Sequence, residues 1–183
     1  FAWNWTTSQD SQINTKLKDA IVNAERITVD TSIKLQPELS NKGDKIAYVV
    51  RQGRELSIRL VNLHGQEIET IREPGANLMS PKFSPSDREL LIAEIKNRDC
   101  ILYRYNLASK QRKRLVACAA NGASSVADWS PGGLFIAYTG KATLGTKEPK
   151  SGIQQTGIWL LELATGASLP VTSPVGAHVF DSN

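Results

Sequence analysis

Three segments of the chain share one pattern of apolar and polar positions, and they align without gaps. Each segment has an apolar residue, a serine, a short polar turn and then an apolar strand. The serines are Ser40, Ser84 and Ser130, so the pattern recurs after 44 and then 46 residues. Each turn contains proline or glycine, because proline fixes φ and glycine permits the positive φ of a tight reversal. The pattern predicts three repeated structural units.

Two more strands follow each turn at matching distances. The second strands are predicted at residues 56–63, 100–107 and 157–163. Shorter third strands are predicted at residues 67–72, 112–117 and 168–172. The third unit is longer because residues 139–156, with three glycines and one proline, predict an exposed hairpin loop.

Short strands in units of 44–51 residues are typical of four-stranded β-propeller blades, which stack face to face. The units are predicted at residues 37–72, 81–117 and 127–172. Residues 26–29 lie about as far before Ser40 as the last strand of the first unit lies before Ser84. They therefore predict the last strand of an incomplete unit. The predicted fold is all-β, with three complete four-stranded blades and an incomplete one in a partial propeller. The alternative is a β-sandwich with coincidental spacing.

Residues 1–25 are predicted to be a separate N-terminal segment, and residues 26–183 the propeller fragment. Within residues 10–24, four apolar residues at helical spacing predict one short amphipathic helix. They are Ile13, Leu17, Ala20 and Ile21. Two roles stay open for this helix, namely packing on the propeller or connecting it to a membrane.

The length of 183 residues holds only three such blades and part of a fourth, whereas complete propellers typically have about 4–8 blades. We therefore expect a piece of a larger propeller. An open arc leaves apolar blade faces and strand edges exposed. We expect self-association, or an altered and partly open packing, to cover them.

Composition narrows the class of protein. Hydrophobic residues make up 40% of the chain and charged residues 22%, which excludes disordered, collagen-like and coiled-coil proteins. No apolar run approaches the roughly 18 residues of a membrane helix. The net charge of +4 is mild and mixed along the chain, whereas a nucleic-acid surface needs clustered basic residues. We expect no nucleic-acid partner for this fragment.

Residues that could carry chemistry are few. His64 and His178 lie far apart without acidic or cysteine neighbours at ligand spacing, so we expect no metal and no cofactor. His64 is followed by Gly65, which indicates a turn. Residue types alone leave a Ser-His-Asp triad open, but no Gly-x-Ser-x-Gly motif is present. Ser84 and Ser130 recur at a structural position. We expect no catalytic residue, and the ligand-binding residues stay unknown.

Residues 110–114, Lys-Gln-Arg-Lys-Arg, are basic and fall at a predicted hairpin tip. A solvated charged surface is the first interpretation. A binding site for an acidic partner, or for lipid headgroups near a membrane, is the second.

Cys100 and Cys118 lie on consecutive predicted strands of the second unit. If residues 108–110 form a three-residue hairpin loop, Leu107 faces Gln111 and Cys100 faces Cys118. Cross-strand neighbours have Cβ atoms roughly 4.5–5.5 Å apart, and a disulfide needs about 3.5–4.5 Å, which a small adjustment reaches. We therefore predict a Cys100–Cys118 disulfide in an oxidising compartment. The alternative is two buried free thiols in a cytosolic protein.

The repeat resembles that of TolB-like propellers, whose pattern is roughly Pro, any residue, aromatic, Ser-Pro-Asp-Gly and then Ile-Ala-Phe/Tyr. The matching residues are Phe83-Ser84-Pro85, Trp129-Ser130-Pro131-Gly132-Gly133 and Ile136-Ala137-Tyr138. The chain departs from the pattern where Lys42, Ser86 and Gly132 replace the Asp, and where Asn41 replaces the second Pro. The resemblance covers about residues 26–180 and implies the fold far more than a function.

The order of features resembles the periplasmic part of CadC-like transcriptional regulators. An aromatic start containing Trp3 and Trp5 precedes the repeats, then come the two cysteines and the segment 169–174. In that family a cytoplasmic winged-helix domain and one membrane helix precede a propeller-like sensor. The resemblance implies that both of these parts lie outside this sequence. Trp3 and Trp5 fit the interfacial belt beside a membrane helix, or they are an ordinary aromatic pair.

The leading hypothesis is a non-enzymatic periplasmic sensor or protein-interaction domain of a CadC-like regulator tethered to the inner membrane. Its partner is a protein or a small-molecule signal, and DNA is bound by the missing winged helix. The second hypothesis is a TolB-like periplasmic scaffold for protein–protein contacts. The third is the propeller of a prolyl-oligopeptidase-type hydrolase whose catalytic domain is absent here.

Overall fold

The structure, a computed structural model, describes residues 26–119, 127–141 and 156–172. The chain divides into two compact units, Phe1–Asp30 and Thr31–Asn183, and all strands of the described residues lie in the second. These strands form three four-stranded antiparallel sheets whose strand order follows the chain. The predicted all-β class, with three four-stranded blades in a partial propeller, is confirmed.

The blades are numbered along the chain. Blade 1 consists of β1 (Ile33–Leu39), β2 (Lys45–Gln52), β3 (Glu55–Asn62) and β4 (Glu67–Ile71). Blade 2 consists of β5 (Asn77–Phe83), β6 (Glu89–Lys96), β7 (Asp99–Asn106) and β8 (Arg112–Cys118). Blade 3 consists of β9 (Ala127–Trp129), β10 (Phe135–Lys141), β11 (Thr156–Glu162) and β12 (Ser168–Pro170).

Three predictions concern segments at or beyond the edges of these blades. The prediction of a strand at residues 26–29 is wrong, because residues 26–30 form no strand and Val29 is 82% exposed. The predicted helix within residues 10–24 lies outside the described residues. So does most of the predicted insertion loop, although Lys141 pairs with Thr156 where the hairpin enters it. Within the part of the chain that the structure describes, no helix is long and apolar enough to cross a membrane.

Blades 1 and 2 begin four residues before Pro37 and Pro81, the prolines at which the predicted units start. The pattern missed these residues because each proline lies inside a first strand, at a shift of the pairing register. The residues before the prolines, Gln36 and Ser80, have positive φ. A β-bulge tolerates a residue without an N–H group, so proline is accepted there. The bulges turn the backbone of both first strands away from regular pairing.

Blade 2 is buried on both faces, and this packing makes the core. Against blade 1 it contributes Leu90 and Ile92, and against blade 3 it contributes Leu91 and Ala93. These four residues are consecutive on β6, so the strand is a continuous apolar run rather than an alternating one. Alternation is expected only where one face of a sheet meets water.

Among the described residues, no further strand covers the outer face of blade 3. Large apolar side chains are exposed on this face. They are Ile158, Leu169 and Val171. The expectation that self-association or altered packing covers such a face stays a prediction.

The repeated serines are structural, as their recurrence predicts. The hydroxyl oxygens of Ser40, Ser84 and Ser130 each accept a hydrogen bond from the backbone N–H five residues later, at 3.0–3.2 Å. The backbone of each serine also pairs across the turn. The side chain therefore closes the turn that enters the second strand of each blade.

The turns of blades 1 and 2 are joined by Asp87. Asp87 occupies the position of Gly43 and Gly133 in the other turns, and all three residues have positive φ, which Asp tolerates better than most residues. Its carboxylate accepts hydrogen bonds from the Asn41 backbone (2.7 Å), the Asn41 side chain (2.8 Å) and the Lys42 backbone (2.8 Å). Burial alone raises the pKa of Asp87, but these hydrogen bonds outweigh it, and the pKa is lowered from 3.8.

We expect the packing between blades 2 and 3 to depend on Leu102, which is fully buried. Leu102→Ala should lower the free energy of unfolding by about 2–5 kcal/mol, because it removes buried methyl groups and leaves a cavity. Urea unfolding followed by circular dichroism measures this. Leu134→Ala is the control, since Leu134 is 65% exposed and its loss should change stability by about 0.5 kcal/mol or less. Equal effects of the two variants would contradict this account of the core.

We expect Asp87→Asn to weaken the contact between blades 1 and 2. Asparagine tolerates the same positive φ, but the substitution removes the charge that strengthens three hydrogen bonds. At pH 7 the free energy of unfolding should therefore fall by about 1–2 kcal/mol. Because the native pKa of Asp87 lies below its unfolded value, this stabilisation is present above about pH 4. It disappears as the pH falls through the native pKa.

Urea unfolding of wild type and Asp87→Asn at pH 7, 5 and 3 measures this pH dependence. The difference between the two proteins should shrink at pH 3. Asp99→Asn changes an exposed carboxylate and serves as the matched control. A stability difference that stays constant with pH would show that the carboxylate charge does not stabilise the turn.

Candidate functional site: the cleft along the inner strands

The first strands of the three blades, β1, β5 and β9, lie side by side. Each is an edge strand of its own sheet. They border a cleft of about 220 Å³. The cleft is lined by Gln36, Pro37, Glu38, Ser80, Pro81, Lys82 and Ala127. Because the lining comes from three blades, this inner-strand cleft is sensitive to how the blades sit against one another.

The bulges of β1 and β5 meet in this cleft. The Gln36 side chain accepts a hydrogen bond from the Ser80 backbone N–H at 2.8 Å. On the next strand pair, the Trp129 indole N–H donates to the Lys82 carbonyl oxygen at 3.2 Å. Neighbouring first strands are therefore joined by hydrogen bonds between a side chain of one strand and the backbone of the next, and not by a ladder of sheet hydrogen bonds.

Charge alternates along the first strands, and two of the three charged residues, Glu38 and Lys82, line the cleft. Glu38, Lys82 and Asp128 stand at equivalent positions of the three repeats, and the Lys82 ammonium lies 2.8 Å from the Glu38 carboxylate. The hydrogen bond to Glu38 raises the pKa of Lys82, burial opposes this, and the charges of Glu38 and Asp128 add to the rise. We call these three residues the inner charge row.

The cleft combines polar side chains with apolar ones. It offers an amide, a carboxylate and an ammonium around an apolar floor of two prolines and an alanine. Among the described residues, no group of three or more His, Cys, Asp or Glu side chains could hold a metal. His64 lies in a turn, as predicted, and His178 lies outside the described residues. A few converging polar groups beside apolar surface are typical of a ligand-binding cleft.

Sequence reasoning missed this cleft, although a clue was present. Glu38 and Lys82 are 44 residues apart, which is the repeat length, so they are equivalent positions in adjacent blades. Opposite charges at equivalent positions predict an ion pair between blades. The Gln36–Ser80 contact has the same separation of 44 residues.

The predicted disulfide is present. Cys100 and Cys118 are paired across β7 and β8, with Cα atoms 4.9 Å apart, and their sulfur atoms are bonded. The pair is buried on the face of blade 2 that packs against blade 3. The disulfide therefore fastens the outer strand of the central blade.

The hairpin loop that was used to predict this pairing is different. The Asn106 backbone N–H donates to the Gln111 carbonyl, so the loop has four residues and Leu107 does not face Gln111. A register shift between Leu102 and Tyr103 compensates for the extra residue. The cysteine register is right because this bulge cancels the error in the loop.

The basic segment 110–114 is only partly a solvated charged surface. Lys110 forms an ion pair with Glu69 of blade 1. Arg112 forms ion pairs with Glu73 and Glu94, and its guanidinium lies 4.3 Å from the centre of the Tyr103 ring. Two of the four basic side chains therefore stabilise the packing of blade 2 against blade 1.

Comparison with known proteins supports the fold. No protein-family model matches the chain. TolB of the Tol-Pal system from Chromobacterium violaceum is 27% identical over 69 residues, which are 38% of this chain and 16% of that protein. The crystal structure of TolB from Acinetobacter baumannii matches 80% of this chain and 34% of its own, with 22% identity and a TM-score of 0.61. This chain has a TolB-like β-propeller fold.

The TolB-like propeller also resembles propellers of other proteins. The β-propeller domain of the trilobed protease from Pyrococcus furiosus matches 76% of this chain and 42% of its own, with 14% identity and a TM-score of 0.56. Identities this low show the fold alone. The chain spans about a third of the A. baumannii TolB chain and less of the curated relative.

The disulfide predicts a simple thiol count. The protein denatured without reductant should show no thiol that reacts with Ellman's reagent, and reduction should release two, since the chain has two cysteines. Changing both cysteines to serine should lower the free energy of unfolding by about 2–4 kcal/mol, because the cross-link restricts the unfolded chain. Two reactive thiols before reduction would contradict the disulfide.

Proposed function

We propose that this TolB-like propeller is a non-enzymatic, periplasmic binding domain and that the inner-strand cleft is its recognition site. The inner charge row is the observation that carries this proposal. Two of its members, Glu38 and Lys82, line the cleft and form an ion pair between blades 1 and 2, so a polar or charged ligand that binds there meets both blades. The bonded cysteines support a periplasmic location, because disulfides persist in oxidising compartments.

We further propose that the domain is the sensor of a membrane-tethered, CadC-like transcriptional regulator. A ligand that competes for Glu38 or Lys82 breaks an ion pair between blades 1 and 2. It therefore binds one arrangement of the blades better than the other, and only such a difference in affinity can shift a conformational equilibrium. The signal would pass through the N-terminal segment to the membrane helix.

A TolB-like periplasmic scaffold is the second candidate, favoured by the similarity to two TolB proteins. The propeller of a hydrolase is the third, favoured by the similarity to the trilobed protease domain. The coding sequence on either side of this segment of the gene distinguishes the three candidates. An upstream winged helix and membrane span support the sensor, a signal peptide alone supports the scaffold, and a downstream hydrolase domain supports the third.

A transcription experiment tests the sensor role in the full-length protein. Transcripts that change when the gene is deleted should return to normal with the wild-type gene. They should not return with Lys82→Glu, which places two acidic side chains opposite each other in the cleft. Arg54→Glu makes the same charge change on an exposed turn and should restore them.

Abundance of each variant is checked by immunoblot, so that loss of the protein is not mistaken for loss of sensing. Glu38→Lys combined with Lys82→Glu reverses the pair and should recover stability while still altering the response to ligand. If deletion changes no transcript, the sensor proposal is wrong. If Lys82→Glu restores transcription as well as Arg54→Glu does, the cleft is not the recognition site.

A further inference from the structure

Among the described strands, the outer strand of blade 2 is an open edge, because β8 pairs there with β7 alone. Strand β8 has seven residues, against five in β4 and three in β12. Because blade 2 is covered on both faces, its edge does not depend on what lies beyond blades 1 and 3. An unpaired edge strand presents a row of backbone N–H and C=O groups to another chain.

The other outer strands are less suitable for pairing. Strand β12 ends in Pro170, which cannot donate a backbone hydrogen bond. The acidic side chains of β4, Glu67 and Glu69, form ion pairs with Arg59 and Lys110. Among the described blades, β8 is the longest outer edge and contains no proline.

Two basic side chains of β8 take no part in the contacts between the described blades. Lys113 and Arg114 are both exposed. Neither side chain has an ion pair or hydrogen bond within residues 26–119, 127–141 and 156–172, whereas the side chains of Lys110 and Arg112 do. Their charge is therefore available to a partner and is not used to hold the propeller together.

Clefts lie on both sides of Lys113. One, of about 160 Å³, separates β8 from the turn between β11 and β12 and has an apolar part formed by Leu115, Leu161 and Leu163. The other, of about 200 Å³, is polar and includes Arg104 and Arg112. Arg104 pairs with Leu91 and with Lys113, so both clefts lie on the face of blade 2 that packs against blade 3. An extended peptide points alternate side chains to the same face, and those on this face would meet both clefts.

We propose that the edge of β8 binds an acidic segment of another protein in extended conformation, as an added fifth strand of blade 2. Backbone hydrogen bonds to β8 supply the pairing, and carboxylates of the segment meet Lys113 and Arg114. This site lies at the opposite edge of the blade from β5 and the inner-strand cleft, so it does not depend on the proposed function.

An anionic membrane is the competing partner for these cations, and the structure favours the peptide. A membrane surface attracts a cluster of several basic residues, whereas only two in this segment lack a partner within the described blades. A flat membrane also makes no use of an open strand edge or of an apolar cleft beside it.

Fluorescence anisotropy with labelled peptides tests the proposal on the whole chain. The probe is the heptapeptide Glu-Val-Glu-Val-Glu-Val-Glu, which we expect to bind saturably. The same peptide with lysine for glutamate should not bind. A version N-methylated at every residue keeps the charges but donates no backbone hydrogen bond, and it should bind at least tenfold more weakly.

Protein variants locate the site. Lys113→Glu combined with Arg114→Glu should weaken binding of the acidic peptide at least tenfold. Arg54→Glu combined with Lys96→Glu makes the same charge change at exposed residues outside β8 and should change it less than twofold. If the first variant does not fold, hydrogen exchange of the wild type decides, with the peptide slowing exchange in β8 and not in β1.

Three results would overturn the proposal. Equal binding of the N-methylated peptide would rule out strand pairing. Equal losses in the two charge variants would show that only net charge matters. Binding to phosphatidylglycerol vesicles that depends on Lys113 and Arg114, without binding of the peptide, would identify a membrane as the partner.

Discussion

Face-to-face packing of blade 2 between its neighbours is the constraint on which the rest of the structure depends. The side chains of Leu90 and Ile92 are buried against blade 1, and those of Leu91 and Ala93 against blade 3. A single blade cannot bury two apolar faces by itself, so each repeat is stable only in contact with the next. This is why the described strands fold as a stack and why the outer face of blade 3 is left apolar and open.

Stacking brings equivalent positions of successive repeats together, and several of the polar contacts between blades 1 and 2 follow from this. Gln36 meets Ser80, Glu38 meets Lys82, and the turn around Asn41 meets Asp87. These hydrogen bonds and the ion pair can form because the repeats carry different residues at these positions. A donor in one blade faces an acceptor in the next, so small sequence differences between repeats create the sites.

The repeat was visible in the sequence because serine turns and apolar strands recur in register, and it led to the fold and to the Cys100–Cys118 pairing. The starts of the blades were not visible, since Pro37 and Pro81 suggest strand ends but lie in bulges. The strand expected at residues 26–29 did not form, since two apolar residues within four are a weak signal for a strand. The inner-strand cleft required a comparison of charges between repeats, which a search for motifs within one repeat does not make.

Because packing uses the faces of the blades, both proposed binding sites lie at their edges. The inner edge carries a charge row that spans three blades, and the outer edge of blade 2 carries unpaired cations beside an open strand. An edge strand that offers its backbone to a partner must itself stay attached to its sheet. The disulfide does this for β8, since it joins Cys118 at the end of the strand to Cys100 of β7. Arg112 holds the other end through its ion pairs with Glu73 and Glu94. With both ends fixed, binding at the middle of β8 adds hydrogen bonds without first having to order the strand, which lowers the entropic cost of recognition.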